Sequence, residues 1–289
     1  MRTLHFTIPE EYGGVKLENF LRREAKLSAR LICKLKHYEE GIQLNGVHAR
    51  TVDIPKAGDT LTLNIQETPT DTLPSGIEVE VLYEDEDLIL YNKPAGMPCH
   101  QAKRYQQDTL ANVYAAHCAG HGISPTFRCI NRLDRNTSGA VVVAKNQFVA
   151  DRINGKIEKS YLAIVCGSVS KEQGVIEAPI RRLNDRHTMR IVSPDGSPAK
   201  TVYQVLYKWN TYTLVRLYLY TGRTHQIRVH MAHIGHPLAG DDMYGGDLDL
   251  IDRQALHCEK AEFIHPFTGE KLCIQAPLSQ DMQKILCRL

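Results

Sequence analysis

Two segments of the 289-residue chain gather side chains that could do chemistry. The first is Asn131-Arg-Leu-Asp-Arg-Asn-Thr-Ser-Gly139. It sets a carboxylate, Asp134, between two arginines and follows it with small hydroxyl residues and a glycine. Asp, Asn, Ser and Gly are turn formers, so composition alone favours a structural turn. Paired arginines beside an acid also suit an anionic substrate and a carboxylate kept ionised. An ionised Asp in a pocket is a candidate nucleophile at a glycosidic carbon or an activated ring carbon. The second segment is Thr221-Gly-Arg-Thr-His-Gln-Ile-Arg-Val-His230, continuing to Gly245. His225, His230, His233 and His236 invite a metal, and His230 and His233 have the spacing to share a helix face. Against a metal stand Arg223 and Arg228, which would repel a cation, and the absence of an H-E-x-x-H pattern. Asp241 and Asp242 fall beyond a Gly and Pro break. The plainer reading makes each histidine a hydrogen-bonded helix or loop residue.

The surrounding pattern must position these groups. VEVLYED and DLILYNKP alternate like strands meeting at an acidic turn, Glu84 to Asp87. Asp108 is expected to cap a helix through Leu110, Val113 and Tyr114. Gly139 to Ala144 reads as a buried strand. KSYLAIVCG, KTVYQVLYKW and YTLVRLYLYTG are further strands rich in Val, Leu and Tyr. A helix is expected from Thr224 to Ile234, ended by Gly235. A hairpin with a Pro266–Gly269 turn and a helix from about Ser279 complete the chain. Helices are interspersed irregularly and strict βαβ alternation is absent. The prediction is an α+β fold with a mixed, largely antiparallel sheet.

Residues 15–66 form a separate unit. Leu17, Phe20 and Leu21 have helical spacing. Ser28 is placed to cap a second helix running from about Ala29 to His37, with Leu31, Ile32 and Leu35 as its apolar face. Lys16, Arg22, Arg23, Lys26, Arg30, Lys34 and Lys36 outnumber the acids Glu18, Glu24, Glu39 and Glu40 across residues 15–40. Charge alone balances a solvated helix face against a phosphate-binding patch. Asn45-Gly46 then marks a hairpin turn. Residues 67–78 are polar and carry Pro69, Pro74 and Gly76, which reads as a linker.

Composition sets outer limits. Lys and Arg total 35 against 33 Asp and Glu, for a net charge of +2, and 43% of residues are hydrophobic. These values exclude wholesale disorder and fibrous classes. No stretch is long and apolar enough to span a membrane, and the start lacks a signal-peptide core, so a cytoplasmic location is the expectation. The eight cysteines never form C-x-x-C and are read as reduced thiols, many of them in the core. His117-Cys118-x-x-His121 has no second ligand pair nearby and is not read as a metal box.

Beyond these residue-level readings, the strings carry a resemblance. R-L-D-x-x-T-S-G, then K-x-Y-x-A, then G-R-T-H-Q-I-R-V-H-x-A-x-x-G-H-P-x-x-G-D-x-x-Y-G resembles the RluA-type pseudouridine synthases. Asn92-Lys-Pro-Ala-Gly-Met-Pro98 is similar to that family's first motif. The resemblance covers roughly Val79 to the C-terminus and departs at Asn131, a position commonly His. The basic hairpin, with Glu40, Gly41, Asn45, Gly46, Lys56, Gly58 and Asp59, is similar to a small RNA-binding module found in a ribosomal small-subunit protein and in tyrosyl-tRNA synthetases. The implied organisation is a small N-terminal α/β RNA-binding module (1–66), a linker (67–78) and a pseudouridine synthase catalytic domain (79–289).

The resemblance implies that specific uridines in structured ribosomal or transfer RNA are isomerised to pseudouridine, with no cofactor and no metal; oligomeric state is open, with a monomer as the default expectation. Asp134 would be the nucleophile toward a flipped-out base. Arg228 would pair with Asp134 and hold it ionised and aimed. Tyr161 would lie against the base and help move a proton, although a core strand tyrosine is its plainer reading. Arg132 would fill the gap left by the flipped base, although a salt bridge is its plainer reading. Arg30 and Lys34 would contact RNA phosphates. Arg181, Arg182, Arg186 and Arg190 fit an RNA-contacting arm and a solvated loop equally. Two other readings compete: a non-catalytic RNA-binding or assembly factor on the same fold, and a metal hydrolase built on residues 225–242.

Overall fold

A computed structural model describes residues 2–67, 70–102, 106–122 and 126–289. The N-terminal unit contains β1 (Arg2–Thr7), α1 (Leu17–Arg23), α2 (Ala29–Leu35), β2 (Ile42–Leu44), β3 (Val47–His48) and β4 (Thr60–Ile65). Its sheet runs β1-β4-β2-β3, antiparallel throughout. Ser28 caps α2 by accepting the Leu31 N–H, as its residue type demands. Leu17, Phe20 and Leu21 of α1 and Leu31, Ile32 and Leu35 of α2 are buried with Leu61, Leu63 and Ile65 of β4. Asn45 and Gly46 both adopt positive φ in the turn from β2 to β3, 51° and 81°. α2 stops at Leu35, two residues earlier than the periodicity predicts. β1 is an addition that the sequence pattern does not announce.

The remainder is built on one ten-stranded sheet. In chain order the elements are β5 (Val81–Glu84), β6 (Leu88–Lys93), α3 (Leu110–Gly120), β7 (Arg128–Cys129), β8 (Ser138–Ala144), α4 (Gln147–Ile153) and β9 (Glu158–Cys166). They continue as β10 (Gln173–Glu177), β11 (Ile180–Arg182), β12 (Arg190–Val192), β13 (Lys200–Lys208), β14 (Tyr212–Leu219) and α5 (Gln226–His233). β15 (Leu256–Ile264), β16 (Lys271–Gln275) and α6 (Gln280–Leu286) close the chain. The strand order is β10-β13-β14-β9-β15-β8-β6-β5, with β16 beside β15 and β7 beside β8. β15 pairs parallel with β8, and every other pairing is antiparallel. The fold is therefore α+β with a mixed, largely antiparallel sheet. β11 and β12 stand apart as a two-stranded hairpin.

β8 is buried at every position, which fits its unbroken small and apolar run Gly-Ala-Val-Val-Val-Ala. Its first residues face β15, where Gly139 pairs with Cys258, and Cys258 pairs on its other side with Tyr161 of β9. A Cβ on Gly139 would stand 2.2 Å from the Cys258 carbonyl oxygen, and its φ is +113°. Only glycine fits this approach. That row of three residues lies under the site.

The α3 cap differs from expectation. Thr109 is the N-cap, in a reciprocal capping box with Asn112. Asp108 has φ 60° and its carboxylate accepts from Ser75 Oγ instead. Helix α5 starts at Gln226, because Thr224 and His225 form a turn ahead of it. Three of the eight cysteines are buried, Cys99, Cys118 and Cys258, and all are free thiols.

The N-terminal unit is tied to the sheet. Arg2 pairs with Glu86 and Asp87 in the β5–β6 turn. Ser28 Oγ donates to Asp151 of α4, and Arg152 Nη2 donates to the Ala25 carbonyl at 2.7 Å. Residues 70–78 contain no helix or strand. They are fastened by Ser75 N–H to the Asn112 carbonyl and by Asn112 Nδ2 to the Leu73 carbonyl. Thr68 and Pro69 of the expected linker lie outside the described residues.

Candidate active site

Asp134 occupies the loop between β7 and β8. Its backbone carbonyl accepts the Thr137 N–H at 3.0 Å, closing a turn that exposes the carboxylate. Turn and chemical site are thus the same residues. Asn131 anchors the entry to this loop on β8. Its Nδ2 donates to the Ala140 carbonyl at 3.0 Å and its Oδ1 accepts the Val142 N–H at 2.8 Å. Lys93, fully buried at the end of β6, donates Nζ to the carbonyls of Pro94, Met97 and Arg135 at 2.8, 2.8 and 3.1 Å. The Asn-Lys-Pro motif and the Asp134 loop are therefore joined by one ammonium. Burial pulls that ammonium down to about 8. Arg253 holds the other flank. Its Nη1 donates to the Asn136 carbonyl at 2.9 Å while Asp281 of α6 grips its Nε and Nη2.

Helix α5 brings Arg228 to the carboxylate. Arg228 Nη1 lies 3.2 Å from Asp134 Oδ2. Its Nε and Nη2 take both oxygens of Asp241, at 2.7 and 2.8 Å. The guanidinium also lies over the Tyr244 ring, 4.9 Å from its centroid. Desolvation opposes the Arg228 charge, but the bonds to Asp241 and the attraction of Asp134 prevail and raise its pKa. Asp241 is buried, and Gly240 before it has no room for a side chain: a Cβ would stand 2.0 Å from the Arg253 carbonyl oxygen. Gln226, the first residue of α5, fixes the preceding loop. Its Oε1 accepts from Thr221 Oγ1 and the Arg223 N–H, and its Nε2 donates to the Lys200 carbonyl and Thr201 Oγ1.

Tyr161 comes from β9, buried beside Cys258. Burial raises its phenol well above the ordinary range, and the neighbouring Cys258 and Asp134 push the same way. Arg132, Asp134, Tyr161, Leu219, Arg223 and Arg228 converge on one open cleft with about 360 Å³ of empty space. Leu133, Thr137, Leu256 and the start of α5 complete its walls.

The structure thus brings Asp134, Tyr161, Arg228 and Arg132 together. Arg132 is exposed and makes no hydrogen bond or ion pair with another described residue. Arg30 and Lys34 lie elsewhere, on α2. Arg30 is exposed, whereas Lys34 Nζ donates to the Gln66 carbonyl at 2.5 Å. Of the basic stretch, Arg181 pairs with Asp195, while Arg182 and Arg186 are exposed on the β11–β12 hairpin. The histidines point apart. His230 is fully buried between Thr201 Oγ1 and the Ala178 carbonyl, His233 is exposed, and His236 bonds the Cys166 carbonyl. Among the described residues no three His, Cys, Asp or Glu converge to hold a metal.

Sequence reasoning weighed Asp241 and His225 only as metal ligands and gave Lys93, Tyr244 and Arg253 no site role. The signal for Asp241 lay in G-D-x-x-Y-G, whose glycine and acid are adjacent for the steric reason just given.

An arginine-steadied aspartate in a cleft at the centre of a mixed sheet, with an exposed arginine at its rim and a buried tyrosine in its floor, describes a class of enzymes acting on a large anionic substrate. Comparison with known proteins sharpens this. The RNA pseudouridylate synthase family description matches residues 87–233. An uncharacterized RNA pseudouridine synthase of Bacillus subtilis, YjbO, is 38% identical over 96% of this chain and 97% of its own length. The ribosomal large subunit pseudouridine synthase D of Pseudomonas aeruginosa is 34% identical over 98% of this chain and 94% of its own. The solved structure of human RNA pseudouridylate synthase domain containing 4 shares the fold, with TM-score 0.60 and 24% identity over 72% of this chain and 92% of that one. The chain belongs to the RNA pseudouridylate synthase family, whose members isomerise uridine in RNA.

Proposed function

We propose that Asp134 is the nucleophile of this pseudouridine synthase and that its substrate is large-subunit ribosomal RNA. The observation that carries the first part is the contact of Asp134 with Arg228 at the floor of an open cleft. A guanidinium beside a carboxylate fixes which oxygen faces outward. The reaction breaks the bond from uracil N1 to ribose C1′ and forms the bond from uracil C5 to C1′. The proton on C5 leaves to solvent and N1 takes one up, so the product is an isomer of the substrate. No external group is consumed. Tyr161 lines the cleft where the base would rest; burial keeps its phenol protonated, so its part is to pack against the base and relay a proton by giving up its own as it takes the one from C5. Arg132 has no partner within the described protein and enters the stack as the uridine leaves it.

The ribosomal assignment is supported by the name of the 34% identical relative, which aligns over 98% of this chain. Residues 1–66 form an RNA-binding module related to the one in a ribosomal small-subunit protein, joined by the 67–78 segment to the catalytic domain, 79–289. Arg23, Lys26, Arg30 and Lys36 are exposed there and suit phosphate contacts. Lys34 does so less, being held by Gln66. Asp134, Tyr161, Arg228 and Arg132 of a single copy suffice to form the cleft, and the reading is a monomer. Free cysteines and the absence, among the described residues, of a helix able to cross a membrane are consistent with the cytoplasm.

The test is release of tritium from RNA labelled at C5 of uridine, drawn from cells lacking this protein. Wild type and Asp134→Asn run in parallel on separated ribosomal and transfer RNA. Release from ribosomal RNA by wild type alone is expected. Release by Asp134→Asn overturns the nucleophile. Release confined to transfer RNA overturns the substrate. RNA binding without any release supports the assembly-factor reading instead.

A further inference from the structure

His225 is nearly enclosed, with 11% of its side chain exposed, and both of its nitrogens have defined surroundings. Nε2 lies 3.8 Å from Asp134 Oδ2, the same oxygen that Arg228 Nη1 approaches. Nδ1 lies 2.9 Å from Tyr244 Oη. Tyr244 Oη in turn accepts the backbone N–H of Arg190, on β12, at 2.9 Å. Donor chemistry favours one direction for this chain. The Arg190 amide can only donate, and a phenol has one proton, which is therefore free to go to His225 Nδ1. The remaining imidazole proton then sits on Nε2, facing the carboxylate.

The charge setting agrees. The charged groups facing the ring are Asp134 from the β7–β8 loop, Arg228 from α5, Arg190 from β12 and Asp241 from the segment after α5. Burial is the largest influence and lowers the His225 pKa, and Arg228 and Arg190 add to it against the pull of Asp134 and Asp241. A neutral ring takes no charge of its own to the carboxylate. The backbone gives no separate reason for histidine. His225 has φ 57°, a left-handed conformation that asparagine adopts at least as readily.

We propose that His225 is a positioning residue for Asp134, seated by Tyr244 and through it by the β11–β12 hairpin. It rests on the reading of Asp134 as nucleophile. The 3.8 Å gap is longer than a hydrogen bond. Catalytic contacts that are long in the free enzyme often tighten when substrate enters. The hairpin carries exposed Arg182 and Arg186, so RNA seated on it bears on the same strand pair that holds Tyr244. A seated hairpin and an aimed nucleophile are then one event.

The experiment measures single-turnover tritium release and RNA affinity for wild type, His225→Asn, His225→Gln, Tyr244→Phe and Asp134→Asn. Asparagine tolerates the backbone and can still bond Tyr244, but it cannot reach Asp134. Its rate is expected to fall about 10- to 100-fold with affinity unchanged. Glutamine carries an N–H near the Nε2 position and recovers part of the loss. Tyr244→Phe keeps the ring beneath Arg228 and loses about 3- to 10-fold. Full rate in His225→Asn, with Asp134→Asn inactive, overturns the positioning role alone. Equal losses in the two His225 variants, accompanied by lowered melting temperatures, also overturn it in favour of a structural role. Activity in Asp134→Asn overturns instead the nucleophile on which it rests.

Discussion

Asp241 grips Arg228 with both carboxylate oxygens, at 2.7 and 2.8 Å, and leaves Nη1 free to reach Asp134 at 3.2 Å. One guanidinium thus serves two acids with unequal claims on it. The tighter, buried partner is far from solvent and fixes the plane of the fork. The looser partner is the one open to the cleft. A lysine could supply the charge but not this division of labour, because only the planar fork holds two carboxylates in fixed directions.

Asp241→Asn is therefore expected to act on both stability and rate. It leaves a buried arginine with a neutral partner. Breaking a buried pair by removing one charge costs about 3–5 kcal/mol, and asparagine, which keeps one acceptor, reduces that to about 2–3 kcal/mol. Arg228 then swings toward Asp134, so single-turnover tritium release falls as well. Urea unfolding and the rate assay are read on the same preparation. An unchanged rate in a folded variant shows that Asp241 does not position Arg228.

Arg132→Ala tests the opposite case. The side chain is exposed and without a hydrogen bond or ion pair to another described residue, so stability is expected to change by less than about 0.5 kcal/mol. Its proposed role in base flipping predicts at least about a tenfold drop in turnover, because unstacking a base costs a few kcal/mol. Comparison on intact RNA and on a short unstructured fragment separates flipping from contact. The loss shrinks on the fragment if flipping is the step affected.

How much of this was legible in the sequence depends on how local the cause is. The Ser28 cap, the Asn45-Gly46 turn and the buried run of β8 follow from neighbours within a few residues, and they appear where expected. The α3 start was missed by one residue, because Asp108 is claimed by Ser75, 33 residues away. The strand order was not readable. β15 enters between β8 and β9 although it starts 90 residues after the end of β9 in the chain, and its parallel pairing with β8 depends on Gly139 meeting Cys258. The site divides in the same way. Asp134 and Arg228 stand in recognisable strings, whereas the bonds of Lys93 to Arg135 and of Arg253 to Asn136 join backbone carbonyls to distant side chains. Carbonyls carry no sequence signature.

Two glycine substitutions separate steric from conformational demand. Gly139→Ala places a Cβ 2.2 Å from a carbonyl oxygen of β15, in the centre of the sheet and at positive φ. No side-chain shift relieves a backbone clash, so the variant is expected to lose more than about 4 kcal/mol or fail to fold. Gly46→Ala also has positive φ, 81°, but nothing lies within 4 Å of its Cβ. Only the left-handed backbone penalty applies there, about 1–2 kcal/mol. Soluble yield and urea midpoints of the two variants report the difference. Comparable losses overturn the claim that the approach of β8 to β15 is what demands glycine.

The Arg253–Asp281 pair predicts a pH dependence of stability. The Asp281 carboxyl is desolvated, which alone would raise it, but the Arg253 bond and charge, together with Ser279, outweigh this and lower it to about 2. Its unfolded value is near 3.8. A depressed carboxylate stabilises the folded state fully above the unfolded value and loses that contribution as pH falls toward the folded one. The window is thus about pH 4 to pH 2. The shift of nearly two units would correspond to about 2.5 kcal/mol for an enclosed group, but this side chain is 43% exposed. Solvent screening reduces the expectation to about 1 kcal/mol. Asp281→Asn is expected to be less stable than wild type by that amount at pH 7 and pH 5, and by less at pH 3, in urea unfolding. A gap that stays constant to pH 3 shows that the asparagine loses packing rather than charge. The same variant loosens Arg253 from α6 and with it the grip on the Asn136 carbonyl, so a modest fall in tritium release is expected to accompany the stability loss.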